Sequence, residues 1–340
     1  MKATKNEDFD LLRNTVEPLL VHNNFLVAPL NWGLGHAARC IPIIDQLLFH
    51  KKNVFLASDG AALKLLTSSY PDLKFYNLPS YGITYPYDSI VLNMIKNSLN
   101  ILFAIKSEHK FLQELLINEN IDVILSDNRY GIYHEKYASI FICHQLQLLH
   151  PNPIIRRLAA GIHRKLLGNF SEFWIPDRPP PESIAPELSK PFKLSDHKYI
   201  GILSRMIPMQ SIKTRKYLVI LSGPEPKRTE LEKVLLECLP EKSFLMVRGK
   251  NEDQSKYRNE KNIVNFLTHR PLSEEIGRSE YVVCRSGYTS IMDLIKLKQK
   301  AILIPTPGQT EQEYLALSVT EKYPAQFVLL PQHSVYSYPW

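Results

Sequence analysis

The feature that most limits the possible folds is a regular alternation along the chain. Short apolar runs of strand length, such as NFLVAP at 24–29 and IDVILS at 121–126, are followed by longer segments with the apolar spacing of helices. Continuous apolar runs suit strands that are buried on both faces, as in parallel sheets covered by helices. The alternation therefore predicts an α/β protein with parallel sheets.

The alternation occurs in two series, which indicates two domains. The first series has predicted strands at 24–29, 53–57, 74–78, 121–126, 139–144 and 173–176, with helices at 37–50, 61–68 and 93–118. The second series has predicted strands at 216–221, 244–247, 263–267, 281–284 and 301–305, with helices at 228–238, 273–278, 289–296 and 311–320. A chain of 340 residues has the length of about two domains.

A proline-rich segment separates the two series. Residues 177–191 contain five prolines, and proline lacks an N–H donor, so we predict a surface loop there. A connecting strand is predicted at 199–203. We expect two doubly wound domains, 1–200 and 201–340, facing each other across a cleft, with the last helix packing back on the first domain. In such sheets, ligands bind at the carboxyl ends of the strands.

The composition excludes several classes of protein. Hydrophobic residues make up 44% and charged residues 22%, which excludes a collagen, a coiled coil and a largely disordered chain. No run approaches the roughly 20 apolar residues that span a bilayer, and the segment MKATKNEDFD lacks the apolar core of a secretory signal. We therefore expect a cytoplasmic protein.

The cysteines have the spacing of neither a zinc site nor a disulfide framework. They are Cys40, Cys143, Cys238 and Cys284, with no C-x-x-C pair among them. Such cysteines are typical of small buried side chains in a reducing compartment. A D-x-D-like pair at 8–10 lies in a polar segment with no strand before it, so we predict no metal site.

The charge of the chain leaves several classes of partner open. A net charge of +7 fits an anionic substrate, a membrane surface or a nucleic acid, and it also fits a basic surface that only keeps the protein soluble. No basic patch is interleaved with aromatic residues, and no helix-turn-helix or RNP-like strand is visible. We therefore expect no nucleic-acid partner.

The first candidate site is the segment PLNWGLGHAAR at 29–39, which leaves a predicted strand and opens a helix. Gly33 and Gly35 let a ligand approach the backbone closely, and a helix N-terminus attracts phosphate. The two glycines match neither a dinucleotide fingerprint nor a P-loop. His36 can act as a general base near neutral pH, or it only caps the helix.

The second candidate site, CRSGYTSIMD, also leads from a strand into a helix. Ser286, Gly287 and Thr289 supply N–H groups and hydroxyls at the helix start, where an anion binds. Arg285 adds positive charge, and Asp293 can accept hydrogen bonds from a ribose diol. The alternative is that one of the hydroxyls merely caps the helix.

Polar residues also follow three further predicted strands. After the strand at 301–305, in the segment PTPGQTEQE, the polar residues are Gln309, Thr310, Glu311 and Gln312. They can donate and accept hydrogen bonds as sugar hydroxyls require, and they are also good helix-capping residues. Ser222 and Gly223 begin the turn SGPEPKR. Its two prolines lack a backbone N–H, so the turn has fewer hydrogen-bond donors for a ligand. Asp127 ends the run IDVILSD, where it is either a site carboxylate or part of a salt bridge.

Together these segments resemble the inverting, nucleotide-sugar-dependent glycosyltransferases of the GT-B fold, which has two Rossmann-like domains. More narrowly, they resemble family 28, whose best-known member adds N-acetylglucosamine to a lipid-linked acceptor in the peptidoglycan pathway. The match is most specific over residues 266–316, with an RSG turn, an acidic residue eight positions after the arginine, a strand ending in P-x-P and a glutamine-bearing helix start. The glycine–histidine loop matches more loosely, and residues 60–200 match in layout only.

The resemblance implies a role for each matched residue. The residues that would contact the nucleotide sugar are Gly33, Gly35, Ser222, Gly223, Leu267, Arg285, Ser286, Gly287, Tyr288, Thr289, Asp293, Gln309, Thr310, Glu311 and Gln312. Among them the RSG turn and the helix start would hold the diphosphate, and Asp293 the ribose, where the family usually has glutamate. Glu311 and Gln312 would hold the donor sugar, where the family often has two glutamines. Leu267 would meet the uracil edge through its backbone.

The implied reaction moves a sugar from a nucleotide sugar, expected to be UDP-linked, to an acceptor hydroxyl, with no metal or other cofactor. Helix dipoles and Arg285 would stabilise the leaving diphosphate, and His36 or Asp127 would deprotonate the acceptor. Two alternatives stay open. One is a nucleotide-sugar hydrolase or epimerase on the same fold, and the other is a non-catalytic nucleotide-sugar-binding protein.

A basic amphipathic helix is predicted at 153–170, PIIRRLAAGIHRKLLGNF. Four basic residues flank its apolar positions, so it either rests on an anionic membrane surface beside a lipid-linked acceptor or is an ordinary helix with a solvated basic face. We therefore expect a cytoplasmic protein for which peripheral membrane association stays open.

Overall fold

The chain forms two compact units, each built around its own parallel sheet. The computed structural model describes residues 7–82, 90–147, 152–191, 196–209, 211–250 and 261–340. The units are Met1–Leu203 and Ser204–Trp340, whereas the sequence analysis put the division between 200 and 201. Both units are doubly wound α/β domains, as the alternation of apolar runs predicts.

The first unit has strands β1 Asn24–Pro29, β2 Asn53–Ser58, β3 Lys74–Asn77, β4 Val123–Asp127, β5 Ala138–Ile142, β6 Glu172–Ile175 and β7 His197–Tyr199. Its helices are α1 Glu7–Val16, α2 Gly35–Phe49, α3 Gly60–Ser69, α4 Ile90–Asn118, α5 Pro153–Leu167 and α6 Pro186–Ser189. Within the described residues the sheet order is β3-β2-β1-β4-β5-β6-β7, with parallel pairing throughout. The strand order therefore reverses between β1 and β4, where α/β sheets place their ligands.

The core of the first unit forms around the central strands. Phe25, Leu26 and Val27 of β1 are fully buried, because β1 is paired on both edges. Ile44 and Leu47 of α2 are also buried, at the spacing that places apolar side chains on one face of a helix. The apolar run and the helix that follows it thus pack as their sequence patterns predict.

The N-terminal segment is helical, which the sequence analysis did not predict. Helix α1 buries Leu12 and Val16, so it is part of the core and not a polar tail. Asp8, the first acidic residue of the D-x-D-like pair, accepts two hydrogen bonds from the Arg178 guanidinium and one from the Ile202 N–H. Its carboxylate therefore holds together distant parts of the first unit.

The proline-rich segment 177–191 is only partly the surface loop that the sequence analysis expected, because residues 180–182, 186, 187 and 190 are exposed whereas 177, 183–185, 188 and 189 are buried. Its interior is buried because Asp177 replaces the missing backbone pairing. The Asp177 carboxylate accepts hydrogen bonds from the Ser183 hydroxyl and from the N–H groups of Ile184 and Ala185. A single helical turn, α6, forms within the segment.

The connecting strand after this segment is also shifted. It is β7, His197–Tyr199, instead of 199–203, because Gly201 has a left-handed backbone with φ of 75° and lies against the Asp8 backbone. A side chain at that position would collide with the neighbouring main chain.

The second unit has strands β8 Arg215–Ile220, β9 Phe244–Val247, β10 Ile263–Val264, β11 Ser279–Cys284, β12 Ala301–Leu303 and β13 Phe327–Leu329. Its helices are α7 Lys227–Cys238, α8 His269–Gly277, α9 Tyr288–Leu297 and α10 Thr310–Lys322. Within the described residues the order β10-β9-β8-β11-β12-β13 is again parallel throughout, with its reversal between β8 and β11.

The edges of this second sheet differ from the prediction. Strand β10 spans two residues instead of five, because β9 ends at Val247 and the left-handed Gly249 turns the partner chain away. Strand β13 was not predicted. Val335, Tyr338 and Trp340, after β13, pack on the core of the second unit.

Two further properties concern the whole described chain. No helix within the described residues is long and apolar enough to cross a membrane.

All four cysteines are free, and three of them, Cys40, Cys143 and Cys284, are buried. Their burial fits the prediction that they act as small apolar side chains.

We predict that Leu26→Ala lowers the free energy of unfolding by about 2–5 kcal/mol, because it leaves a cavity in a fully buried strand. The control is Ile117→Ala on α4, where the side chain is 83% exposed and little packing is lost. Urea unfolding of both variants measures the difference. Equal losses would contradict the placement of Leu26 in the core.

Candidate functional site

The first unit brings three strand ends together at one edge of its sheet. Pro29 at the end of β1 lies in register with Asp127 at the end of β4, which in turn lies in register with Ile142 at the end of β5. The loop after β1 leads into α2 and carries the predicted glycines, with Gly33 exposed and left-handed at φ of 77°. His36 lies in the first turn of α2. The two residues predicted as catalytic are therefore neighbours.

His36 and Asp127 form a hydrogen-bonded pair. His36 Nδ1 lies 2.7 Å from Asp127 Oδ1, and the Asp127 side chain is fully buried. Because an ionised carboxylate only accepts, Nδ1 carries the proton of this bond and Nε2 keeps its lone pair. This geometry holds the imidazole in the tautomer that can take a proton from a substrate.

A buried arginine, which the sequence analysis did not single out, completes this cluster. Arg39 is 1% exposed and binds both carboxylate oxygens of Asp127, through Nε at 2.5 Å and through Nη2. Its Nη1 lies 2.8 Å from His144 Nδ1, two residues beyond β5. The sequence did contain a signal for Arg39, because it follows His36 by three residues on a predicted helix, and residues at that spacing share a helix face. His144 had no such signal.

The charges in the cluster shift the pKa values of its members. Burial and the Arg39 guanidinium lower the pKa of His36, and the Asp127 carboxylate opposes them. Burial would raise the pKa of Asp127, but the charges and hydrogen bonds of Arg39 and His36 outweigh it and hold that pKa well below its usual range. These charges therefore favour an ionised Asp127 beside a neutral His36.

A second buried charge cluster supports the same edge of the sheet. Arg129, just after β4, donates to the Pro29 carbonyl at 2.8 Å and forms ion pairs with Glu108 of α4 and Asp59 after β2. Asn31, in the loop after β1, donates to Asp59 at 3.1 Å. This network anchors the root of the loop that carries His36.

In the second unit, the RSG turn lies between β11 and the start of α9. Gly287 is the N-cap residue of α9, and as a glycine it has no side chain with which to cap the helix. The first N–H groups of α9 therefore lack an intrahelical partner and carry the positive end of the helix dipole. Thr289, in the first turn, is partly exposed, whereas the Tyr288 side chain is buried and offers only its backbone to a ligand.

The side chains of the turn itself are used within the unit. Arg285 is 1% exposed, and its guanidinium donates to the carbonyls of Ile304, Pro305 and Lys227. Arg285, which the sequence analysis expected to add charge for a diphosphate, thus donates within its own unit, while its buried Nε has no hydrogen-bond partner among the described residues. The Ser286 hydroxyl donates to a backbone carbonyl, at 2.8 Å, and is fully buried.

Asp293, two turns into α9, lies beside the first residues of the second unit. Its Oδ1 accepts a hydrogen bond from the Ser204 hydroxyl at 2.5 Å. Burial raises the pKa of Asp293 to about 6, although this hydrogen bond and the Arg205 charge act in the opposite direction. Arg205 has two buried guanidinium nitrogens, Nε and Nη1, without a hydrogen-bond partner among the described residues. The sequence analysis missed Ser204 and Arg205, which lie far from Asp293 in the chain.

The start of α10 is organised by its own amide side chains. Gln312 accepts a hydrogen bond from the Thr306 N–H at 2.9 Å and donates to Gln309 Oε1 at 2.5 Å. Thr310 and Glu311 are partly exposed in the first turn. The two glutamines therefore close the turn after β12, and they fix the position of the helix start.

The remaining predicted residues lie at other strand ends of the same sheet. Ser222 and Gly223 are exposed after β8, and Gly223 is left-handed with φ of 102°. Leu267 is partly exposed and lies between β10 and α8. Parallel pairing places all these strand ends at one edge of the second sheet.

The comparisons with known proteins show which family the second unit is similar to. Residues 222–332 match the family model of the glycosyltransferase family 28 C-terminal domain. The matched range includes the β11–α9 and β12–α10 turns described above. Among curated protein sequences, none matches the chain.

Solved structures share the fold of the whole chain at low sequence identity. The spinosyn rhamnosyltransferase SpnG complexed with thymidine diphosphate has a TM-score of 0.58 and 12% identity, covering 93% of this chain and 88% of that one. The calicheamicin glycosyltransferase CalG4 has a TM-score of 0.62 and 10% identity, with coverages of 93% and 88%. Acinetobacter baumannii MurG has a TM-score of 0.52 and 12% identity, with coverages of 93% and 88%. The chain therefore has the GT-B fold, with two Rossmann-like domains.

We predict that Asp293→Asn stabilises the protein at pH 7.5 and has little effect at pH 4. The folded-state pKa of about 6 lies above the ordinary value of 3.8, so the stability that protonated Asp293 contributes is lost as the pH rises through 6. Asparagine remains neutral and still accepts from Ser204. Thermal unfolding at both pH values measures the effect, with exposed Glu241→Gln as the control. A loss of stability at pH 7.5 would contradict the raised pKa.

Proposed function

We propose that this glycosyltransferase, whose second unit carries a family 28 C-terminal domain, moves a sugar from a nucleoside diphosphate sugar to an acceptor hydroxyl with inversion at the anomeric carbon. The observation that carries the proposal is the His36–Asp127 pair, with its 2.7 Å hydrogen bond and a ring nitrogen left to accept a proton. A protein that only bound nucleotide sugars would not need such a base. The expected donor is UDP-linked, as the resemblance to family 28 implies.

The proposed donor site is the RSG turn and the start of α9. The N–H groups and the positive dipole end at a helix N-terminus suit the two phosphates, and Thr289 adds a hydroxyl. In the fold relative SpnG, the bound molecule is thymidine diphosphate, which supports a nucleoside diphosphate as the ligand here. Asp293 and the partly exposed Glu311 are proposed for the ribose and the donor sugar, respectively.

The proposed chemistry is a single displacement. His36 Nε2 takes the proton of the acceptor hydroxyl, whose oxygen attacks the anomeric carbon of the donor. The bond from that carbon to the diphosphate oxygen breaks, and the diphosphate leaves with the electron pair. A single displacement inverts the configuration at the carbon. Asp127 stabilises the imidazolium, and the α9 N-terminus stabilises the leaving group, so we propose that no metal ion is needed.

A lipid-linked acceptor is the finer part of the proposal. Helix α5 exposes Ile154, Leu158 and Ile162 at 70%, 66% and 63%, which lie four residues apart and so share one helix face. Exposed basic residues accompany them, namely Arg156, Arg157, Arg164 and Lys165. The opposite face packs into the unit through Leu167. An apolar stripe beside basic charge suits the surface of an anionic membrane.

We predict that UDP raises the thermal unfolding midpoint more than GDP, dTDP or ADP. A ligand at 100 times its Kd stabilises the native state by about 2.7 kcal/mol. Asp293→Ala is expected to reduce the shift, and His36→Ala to leave it unchanged. The absence of a shift with every nucleotide would overturn the proposed donor site.

We predict that His36→Ala lowers kcat by about 10²–10⁴-fold, the usual contribution of a general base. The assay follows release of the nucleoside diphosphate from the donor that the binding panel selects, with and without candidate acceptors. Exposed His197→Ala on β7 is the matched control. Full activity of the His36 variant would overturn its role, and release that no acceptor accelerates would indicate a hydrolase. Chelator is expected to leave the rate unchanged.

We predict that the triple variant Ile154→Ser, Leu158→Ser, Ile162→Ser loses at least about tenfold in binding to vesicles that contain anionic lipid, because each buried apolar side chain contributes about 1.5–3 kcal/mol. Vesicle co-sedimentation measures the change. The control is the double variant Val21→Ser, Ile117→Ser, which changes two exposed apolar residues outside α5. Equal binding of the triple variant and the unaltered protein would contradict the α5 contact.

A further inference from the structure

Arg39 occupies an unusual position for a buried arginine. It lies one helical turn after His36 on α2 and contacts both Asp127 and His144 beside that histidine. Its guanidinium binds both oxygens of Asp127, lies 2.8 Å from His144 Nδ1 and lies 3.0 Å from His36 Nδ1. The side chain is 1% exposed, so it does not serve solubility.

These contacts fix where the protons of the two histidines lie. An arginine only donates, so His144 Nδ1 must accept from Arg39 and His144 carries its ring proton on Nε2. Arg39 binds Asp127 Oδ2 through Nε and shares Oδ1 with His36 Nδ1 through Nη2. Because the ionised carboxylate only accepts, His36 Nδ1 donates to Oδ1, and the 3.0 Å approach of Arg39 Nη2 to His36 Nδ1 is a contact between two donors and not a hydrogen bond. One guanidinium thus sets the orientation of Asp127 and the tautomers of both rings.

Arg39 also sets the charge around His36. The groups that face the His36 ring are Asp127 on β4, Arg39 on its own helix and His144 after β5, with the neutral thiol of Cys40 next to Asp127. Without Arg39 the buried Asp127 anion would favour the imidazolium. With Arg39 the carboxylate is neutralised, and a protonated His36 would stand beside a second positive charge.

We propose that Arg39 is a positioning residue that fixes Asp127 and holds His36 in its neutral, proton-accepting form. The inference rests on the proposed function of His36 as the base. Arg39 makes His36 ready to accept a proton at neutral pH and weakens its hold on that proton afterwards, so that the proton is released before the next turnover. A lysine cannot replace it fully, because its point charge lacks the planar pair of donors that binds both oxygens.

The test is a pH titration of the His36 ring by NMR in the full-length protein, together with the pH profile of kcat. In Arg39→Met the His36 ring pKa is expected to rise by about one unit or more, because a facing positive charge is lost. Arg39→Lys is expected to keep the ring pKa low and to lower kcat with little change in KM. Exposed Arg13→Met on α1 is the control and should change neither.

Removal of Arg39 leaves Asp127 buried without a counter-charge, so a second pair of variants protects the test from loss of folding. Asp127→Asn alone should lower the His36 ring pKa, since Arg39 then acts unopposed. Addition of Arg39→Met to Asp127→Asn should raise it again. The difference between these two variants measures the effect of Arg39 with no buried anion present.

The outcomes separate this inference from the proposed function. If Arg39→Met raises the His36 ring pKa and also moves the acid limb of the pH profile of kcat to higher pH, the role of Arg39 and the role of His36 as the base are both supported. If the ring pKa rises but the acid limb of kcat stays in place, Arg39 acts on His36 as inferred, and His36 is not the base. If the ring pKa is the same with and without Arg39 in folded protein, in both variant pairs, the inference is overturned.

Discussion

Parallel strand pairing is the constraint on which both units depend. Parallel neighbours cannot be joined by a tight turn, so each strand is followed by a connection that crosses the sheet, usually through a helix. All carboxyl ends then lie at one edge. In the first unit this brings Asp127 next to the loop that carries His36, although the two residues are 91 positions apart. In the second unit it brings the ends of β8, β11 and β12 to a common edge.

Buried arginines stabilise that edge in both units. Strand-end carbonyls that lie beyond the ladder need donors, and a guanidinium supplies five without any acceptor. Arg129 serves the Pro29 carbonyl, Arg285 serves the carbonyls after β12, and Arg228 donates to the Arg248 carbonyl at 3.1 Å. The accompanying carboxylates, such as Glu108 and Glu232, balance most of the buried charge. The loops that carry the candidate sites are therefore mounted on rigid polar networks.

The two units divide the proposed reaction between them in an uneven way. The second unit carries the family match and the helix N-terminus proposed for the diphosphate, features that depend on the common chemistry of nucleotide sugars. The first unit carries His36 and the exposed face of α5, which we propose to act on the acceptor. In its polar cluster both Arg39 and Asp127 contact His36, so the charges of both act on the histidine.

The sequence by itself determined the two-domain parallel architecture, because apolar runs and helical spacing are local patterns that each element must satisfy. It also proposed His36, Asp127 and the residues of the RSG turn as candidates from their places at strand ends. Only the tertiary structure decided that Arg285 is buried against carbonyls, that Asp177 holds the buried part of 177–191, and that Arg39 and His144 lie beside the His36–Asp127 pair. These outcomes depend on which side chains meet across distant strands, and burial then determines whether a charge serves a ligand or the protein itself.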